Sequence, residues 1–533
     1  MSATLAPETV SERNPISQQD VIDTLATLNL KASSPQDLAD YTSLLTGIWE
    51  MWDSIDQMDD YVPVVDEERF PRKGVHRPEP AENETNAWAW KCDIRDTTDK
   101  SKGGLLAGKT VNMKDNIAVK GVPCLLGTNV IKDWVPNTDA TVVTRVLEAG
   151  GIVSGKAVCE NMSMWGVSTS AATGQMSNVW APGFSAGGSS SGTGVLVGNG
   201  LTWGGMGGDQ GGSIRIPSAV NGIVGLKPTT GLVPYTGIAS LEPIIDSTGP
   251  MTKTVLDNAL LLQATAGADF IDDRQQAGCP LPGSVPDYPA LAQEGVKGMR
   301  IGILKEGFDQ PMGDVRLSAL VTKAAKSLET LGCVVEEVSV PMHKLGPTLW
   351  TAPGRMSGHA SLMAQNCGRR VLHLNDLTDK VLPLTQEKFD AMFAGSSNAV
   401  VTGKWAWDHL PPTLLGKAMN LIRKLRDDYY KALNSYDVLI MPTMPMLAQK
   451  LPSTEAGIVE FMQNSNGVSL NTSAFNLTGL PALSMPVGFL PSLEAPHPKL
   501  PVGMMIVSKF YKEATIYKVA YAWEQAFDWK TFE

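Results

Sequence analysis

Apolar residues recur at three- and four-residue intervals from Leu38 through Tyr41, Leu44, Leu45, Ile48 and Trp52 to Ile55. That spacing predicts an amphipathic helix of about six turns. Ser34 before Pro35 supplies its N-cap and a proline in the first turn. A shorter helix is expected upstream, where Ser17 and Asp20 introduce Val21, Ile22, Leu25 and Leu28. The Trp/Met-rich stripe of the longer helix reads as packing within its own domain, or else as a dimer contact or pocket lid. Residues 62–90 are rich in proline and charge and read as a linker. Residues 1–90 are therefore expected to be an N-terminal helical region with its linker, and 91–533 the main domain.

From Trp88 onward, short apolar runs alternate with helical periodicity. Residues 109–114 read as a strand. Thr138 or Asp139 is expected to cap a helix carrying Val142, Val146 and Leu147, which Gly150 and Gly151 end before a strand at 152–154. A second unit runs from strand 299–304 into a helix capped by Asp314, with Leu317, Leu320, Val321, Ala324, Leu328 and Leu331 on one face. Gly332 stops that helix and a strand resumes at 334–335. A helix at about 413–434 leads into the apolar strand 438–441. This alternation predicts an α/β fold with a largely parallel or mixed central β-sheet covered on both faces by helices. Residues 340–412 show little periodicity but hold His343, Trp350, Trp405 and Trp407. They read as core packing or as an insertion over a pocket.

Composition narrows the class. Of 533 residues, 43% are hydrophobic and 19% charged, which suits a soluble globular protein. The formal net charge is −11 with no basic cluster, so neither nucleic acid nor an anionic membrane is an expected partner. No apolar run is long enough to span a bilayer. Residues 1–8 lack the features of a signal peptide, and Ser2 excludes the myristoylation pattern. Cys92, Cys124, Cys159, Cys279, Cys333 and Cys367 are scattered without a Cys-x-x-Cys, which suits reduced thiols in a cytoplasmic protein. No metal-ligand spacing occurs, so neither a metal nor a cofactor is expected.

The densest glycine and serine content lies between Gly187 and Pro234, threaded with Val195, Leu196, Val197, Ile214, Ile216, Ile223 and Val224. A flexible linker lacks such β-branched residues; this stretch reads as buried elements joined by tight turns. Two familiar patterns nearby are decoys. Residues 103–110 match G-x-x-x-x-G-K-T, but the polar residues before them and the β-branched residues after them deny the strand–loop–helix context of a phosphate loop. Residues 188–192 match G-x-S-x-G around Ser190, yet a loop precedes them where a nucleophile elbow needs a strand. No histidine among His343, His359, His373, His409 and His497 sits in a recognisable catalytic turn, so a Ser-His-Asp enzyme is the weaker reading. Serine chemistry with another base remains, and a buried lysine suits it because burial favours the neutral amine.

The ordered segments Lys114-Asp115-Asn116-Ile117, Gly187-Gly188-Ser189-Ser190-Ser191-Gly192, Gly208-Asp209-Gln210-Gly211-Gly212-Ser213-Ile214-Arg215-Ile216-Pro217, Gly222-Ile223-Val224-Gly225-Leu226-Lys227-Pro228-Thr229 and Phe475-Asn476-Leu477-Thr478-Gly479-Leu480-Pro481-Ala482 together resemble the amidase signature family. The resemblance covers about residues 90–530 and is similar in detail to the broad-spectrum amidases of nitrile metabolism. It implies the amidase signature fold and Ser213 as nucleophile. It also implies Ser189 as a bridging serine on a cis peptide bond and Lys114 as general base. Backbone N–H groups of Gln210, Gly211, Gly212 and Ser213 are implied as the oxyanion hole, with Asp209, Arg215 and Ser190 supporting the loop. Met162 and Trp165 are expected in the substrate pocket. The implied reaction is hydrolysis of a carboxylic amide, with carbamate or ester hydrolysis by the same triad as an alternative. Relatives of this kind carry a small helical N-terminal domain and form homodimers. The glutaminase-type component of a tRNA-dependent amidotransferase is a further reading, which the helical region at 1–90 disfavours.

Overall fold

A computed structural model describes residues 10–365 and 368–533; the expectations for residues 1–8 and for Cys367 fall outside them. Two compact units are present, one ending at Pro63 and the other comprising Val64–Glu533. The first contains the two expected helices, Gln18–Thr27 and Pro35–Asp56. Ser17 N and Ser17 Oγ both donate to Asp20 Oδ2 at 2.8 and 2.6 Å, and Ser34 Oγ accepts from Asp37 N at 3.0 Å. Serine and aspartate at these positions satisfy donors that a helix start leaves free.

The second unit is built on strands β1 (Lys73–His76), β2 (Trp88–Ile94), β3 (Thr110–Lys114), β4 (Ile152–Ala157), β5 (Gly204–Asp209) and β6 (Val224–Lys227). Six more follow: β7 (Ser247–Thr252), β8 (Arg300–Leu304), β9 (Val334–Val338), β10 (Val438–Pro442), β11 (Ala482–Pro491) and β12 (Lys499–Val507). Among the described residues they form one 12-stranded sheet in the order β1-β2-β4-β3-β5-β7-β6-β11-β12-β10-β8-β9. The parallel pairs are β3 with β4 and β5, and β8 with β9 and β10. These are the two βαβ units legible as periodicity. The centre, from β5 through β7, β6, β11 and β12 to β10, is antiparallel.

Both faces of the sheet are covered, and the alternation of side chains shows it. Val438 and Ile440 of β10 pack in one core with Leu317, Val321 and Trp523. Leu439 and Met441, pointing the other way, pack in a second core with Ile422, Leu425, Tyr429 and Phe475. A period of two along a strand sends neighbours to opposite faces, so a continuous apolar run needs a helical layer on each side. The helices concerned are Val315–Ser327 and Glu513–Ala526 on the first face and Thr413–Leu433 and Ser473–Thr478 on the second.

Two local expectations need correction. Residues 62–90 are not a plain linker. The compact boundary lies at Pro63, and β1 pairs antiparallel with β2, Lys73 opposite Asp93. β1 is an edge strand with mostly exposed side chains, so it carries no apolar alternation to read. The helix Thr141–Glu148 has Ala140 as its N-cap and no side-chain cap. Asp139 is engaged elsewhere, accepting from Arg72 Nη2 at 2.6 Å and from Lys120 N at 2.8 Å. No helix among the described residues is long and apolar enough to cross a membrane.

Candidate active site

β3 and β5 run parallel, with Met113 opposite Met206, so their C-terminal ends emerge side by side. Such strand ends are where open α/β sheets place ligands. Lys114 is the last residue of β3. Beyond β5 the chain runs through Gln210 to Ile214 and enters the helix Arg215–Asn221. The third contributor is the turn at Gly187–Ser190, which feeds the buried helix Ser191–Gly198.

Lys114 and Ser189 are fully buried, and Lys114 Nζ lies 2.8 Å from Ser189 Oγ and 3.2 Å from Gly208 O. Burial pulls the Lys114 amine down to about 8; Cys159, Asp209, Glu160 and Asp246 oppose that shift electrostatically. The peptide bond between Gly188 and Ser189 is cis. A Cβ at Gly188 would stand 2.6 Å from Trp165 O and 2.9 Å from Glu160 Cγ, so only glycine fits there. Glu160 N donates to Ser189 O at 3.1 Å, and the Glu160 carboxylate accepts from Ser191 Oγ and from Ser170 N and Oγ, each at 2.7 Å. This residue, which periodicity and motif did not mark, clamps the serine turn.

Ser213 is the most open of the three, at 9% exposure. Ser190 N donates to Ser213 O at 3.3 Å, which ties the serine turn to the loop after β5. A direct Ser189–Ser213 side-chain hydrogen bond is not among those formed by the described residues. Ser190 Oγ donates to Gly208 O at 3.1 Å and accepts from Gly208 N at 3.2 Å. That leaves the middle serine of the G-x-S-x-G decoy engaged with backbone. The histidines give a Ser-His reading no help. His343 is buried between Tyr429 OH, at 2.5 Å, and Asn471 Oδ1, at 3.2 Å, and His409 is stacked on Trp405.

The loop 210–214 is held from beneath by a buried ion pair. Arg215 Nε and Nη2 meet the two carboxylate oxygens of Asp209 at 3.0 Å each, while Nη1 reaches Thr472 O at 2.9 Å and Nη2 reaches Asn476 Oδ1 at 2.7 Å. Asn476 Nδ2 in turn donates to Asp209 O and Oδ1 at 2.8 Å. Burial alone would raise the Asp209 pKa, but Arg215 and these donors hold it below the usual carboxylate range. Replacing Arg215 with methionine leaves a buried carboxylate without its partner, and a loss of about 3–5 kcal/mol of stability is expected. Denaturant unfolding of the variant measures it, and a change under about 1 kcal/mol would contradict this role.

Asp209 also takes up two of the loop's backbone donors. Gly212 N donates to Asp209 Oδ1 at 2.7 Å and Ile214 N to Asp209 Oδ2 at 3.0 Å. Gly212 is therefore a correction to the expected four donors: its N–H is spent on the loop. It must still be glycine, because its φ is +139° and a Cβ would stand 2.4 Å from Thr472 Oγ1. Gly211 and Gln210 are fixed through their carbonyls, which accept from Thr472 Oγ1 at 2.6 Å and from Trp350 Nε1 at 2.7 Å.

A cavity of about 100 Å³ opens on Ser213, lined among others by Trp165, Gln210, Gly211, Trp350 and Arg355. A neighbouring cavity of about 240 Å³ shares Ser163, Met164, Gln210 and Leu241 with it and is also lined by Met162. Met162 and Ser163 both adopt positive φ, 50° and 60°, in the turn between the two cavities. Trp350, Gly354, Arg355 and Ala399 all come from the 340–412 stretch. In the sequence Trp350 stands out only as part of that aperiodic stretch, and Thr472 and Arg355 escaped the sequence reading. Asn476 stood in a recognised segment, but nothing in the sequence shows its contact with Asp209.

Known proteins share this architecture. The family model described as Amidase matches residues 79–517. An enantioselective amidase of Rhodococcus rhodochrous is 37% identical over 478 residues, covering 86% of each chain. The A component of the glutamyl-tRNA(Gln) amidotransferase of Moorella thermoacetica is 34% identical over 433 residues, covering 79% of this chain and 83% of its own. The crystal structure of the peptide amidase of Stenotrophomonas maltophilia superposes with a TM-score of 0.62 at 28% identity, covering 79% of this chain and 83% of that one.

Proposed function

The chain belongs to the Amidase family, and from that premise we propose that it hydrolyses carboxylic amides to carboxylate and ammonia or amine through an acyl-enzyme on Ser213. The observation that carries this reading is the fully buried Lys114 Nζ, 2.8 Å from Ser189 Oγ at the strand end beside Ser213. Neutral Lys114 takes the Ser189 hydroxyl proton, Ser189 Oγ takes that of Ser213, and Ser213 Oγ bonds to the substrate carbonyl carbon. Negative charge gathers on the carbonyl oxygen, which the N–H groups of Gln210, Gly211 and Ser213 receive. One such donor is typically worth about 3 kcal/mol in the transition state. The proton returns along the same serines to the leaving nitrogen as the C–N bond breaks. Water then adds to the acyl group, gives its proton to the relay and releases the acid.

The base sets the pH dependence. A group with a pKa of about 8 is only about one tenth neutral at pH 7. We therefore expect kcat/KM on a simple amide to rise steeply with pH up to about 8 and to level above it. A profile flat from pH 5 to 9 would contradict Lys114 as base. A panel of short aliphatic amides, aryl amides, esters and ethyl carbamate separates amide hydrolysis from the carbamate and ester alternatives. Hydrolysis by the purified chain alone separates a self-sufficient enzyme from a component of an amidotransferase. A cytoplasmic homodimer belongs to the same reading. Helix Pro35–Asp56 supports its dimeric part, since Trp52 and Ile55 stand 59% and 64% exposed along one apolar stripe. Sedimentation of the intact chain tests it.

A further inference from the structure

Resting on the acyl-enzyme reading above, we propose that Arg355 recognises a carboxylate on the substrate, so that the preferred amides carry an anionic group a few atoms from the scissile carbonyl. Arg355 lies in the π-helix Ala352–Ser357 and lines the same cavity as Ser213, Gln210 and Gly211. Single π-turns of this kind are frequent at functional sites.

The guanidinium is unusual in having nothing to hold among the described residues. Burial lowers its pKa and no neighbouring carboxylate opposes that. Other buried or half-buried arginines among the described residues have partners, Arg426 only the ring of Phe510 at 5.8 Å and most others a carboxylate. Arg215 faces Asp209, Arg274 faces Asp246 and Asp272, and Arg72 faces Asp139. Arg145, whose pKa burial also lowers, spends its guanidinium on the carbonyls of Thr265, Gly267 and Ala268. Arg355 makes no side-chain hydrogen bond, ion pair or ring contact with the described residues. Glu242, the buried carboxylate that Ser357 of the same π-helix contacts, is already taken up by Ser357 Oγ and by Ile244 N. Arg355 is half-buried in the wall of the cavity beside Ser213, and a cation placed there with no carboxylate of its own suits a ligand that supplies the missing charge.

Other unspent groups at this cavity fit the same ligand. Trp165 Nε1 is buried and has no acceptor, and it adds a second donor to the cavity wall. Gln210 Oε1 is buried without a donor, while Gln210 Nε2 is held by Tyr235 OH at 2.8 Å. Two donors match the oxygens of a carboxylate, for which the planar guanidinium fork is well shaped. The free amide oxygen matches the N–H of a carboxamide. At about 100 Å³ the cavity takes a short acyl chain, as in the monoamide of a small dicarboxylic acid.

The test compares succinamate with butyramide, and glutaramate with valeramide, pairs that differ chiefly in the carboxylate. In the wild-type chain the kcat/KM ratio of anionic to neutral amide is expected to exceed about 10 for at least one pair. Arg355→Met should lower that ratio about 10–100-fold, the usual weight of a charged hydrogen-bonded contact, and Arg355→Lys should keep part of it. A wild-type ratio near or below unity, or one that Arg355→Met leaves unchanged, overturns the proposal. Calorimetric binding of succinamate to Ser213→Ala protein, with and without Arg355→Met, reads carboxylate recognition without turnover. Failure of hydrolysis and failure of recognition are thus seen separately.

Discussion

Ser213→Ala is expected to lower kcat/KM for a simple amide on the order of 10⁵-fold, with the fold unchanged. Loss of a serine nucleophile from a comparable site removes about that much, because the other members act only through it. The structure says why the protein should tolerate the change. The loop around Ser213 is held by Asp209, Arg215, Asn476 and Thr472 through their own hydrogen bonds, and the Ser213 hydroxyl carries none of that load. Its backbone N–H and its carbonyl, which accepts from Ser190 N, survive in alanine. Thermal melting alongside kinetics separates the two effects. Turnover within about tenfold of wild type in a folded variant would remove Ser213 from the chemistry.

Lys114→Ala is expected to cost at least about 10²–10⁴-fold, the usual range for a general base. It also leaves Ser189 Oγ and Gly208 O without the amine that now sits 2.8 and 3.2 Å from them. Lys114→Arg distinguishes base from charge. A guanidinium keeps the positive charge but does not deprotonate at any ordinary pH, so it should be as inactive as alanine. Recovery of activity in the arginine variant would mean that the site needs a cation there and not a proton acceptor.

Much of the fold is legible in the amino-acid pattern, and the exceptions have physical causes. The helix Val315–Ser327 and strands β8, β9 and β10 announce themselves because long amphipathic and apolar runs are decided by burial alone. β5, the strand that delivers the Ser213 loop, does not. Its sequence, Gly-Gly-Met-Gly-Gly-Asp, has no strand propensity; it is a strand because its backbone pairs with β3 and β7, and its glycines are required because the neighbours leave no room for side chains. A Cβ at Gly205 would stand 2.6 Å from the Asn112 side chain, and one at Gly207 2.8 Å from Met251 Sδ. The helix Ser191–Gly198 is hidden in the same way, being buried throughout its first seven residues and so lacking a polar face.

At the site, Lys114, Ser189 and Ser213 are legible as a spaced motif, and the structure brings their three loops to one strand edge. What the motif does not carry is how the backbone donors divide their work. Only the geometry shows Gly212 N turned inward to Asp209 while the neighbouring carbonyls are pinned by Trp350 and Thr472. Arg355 is equally hidden, since an arginine in an aperiodic stretch looks like any solvated charge until its place in the wall of the Ser213 cavity is seen.

The most direct test of the account is the site of covalent labelling by a fluorophosphonate, which bonds to an activated serine with loss of fluoride. Peptide mass mapping of the labelled protein is expected to find one adduct, on Ser213, formed faster as pH rises toward about 8 and absent from Ser213→Ala. An adduct on Ser189 or Ser190, or an active enzyme that takes up no label, would contradict the assignment of nucleophile and relay.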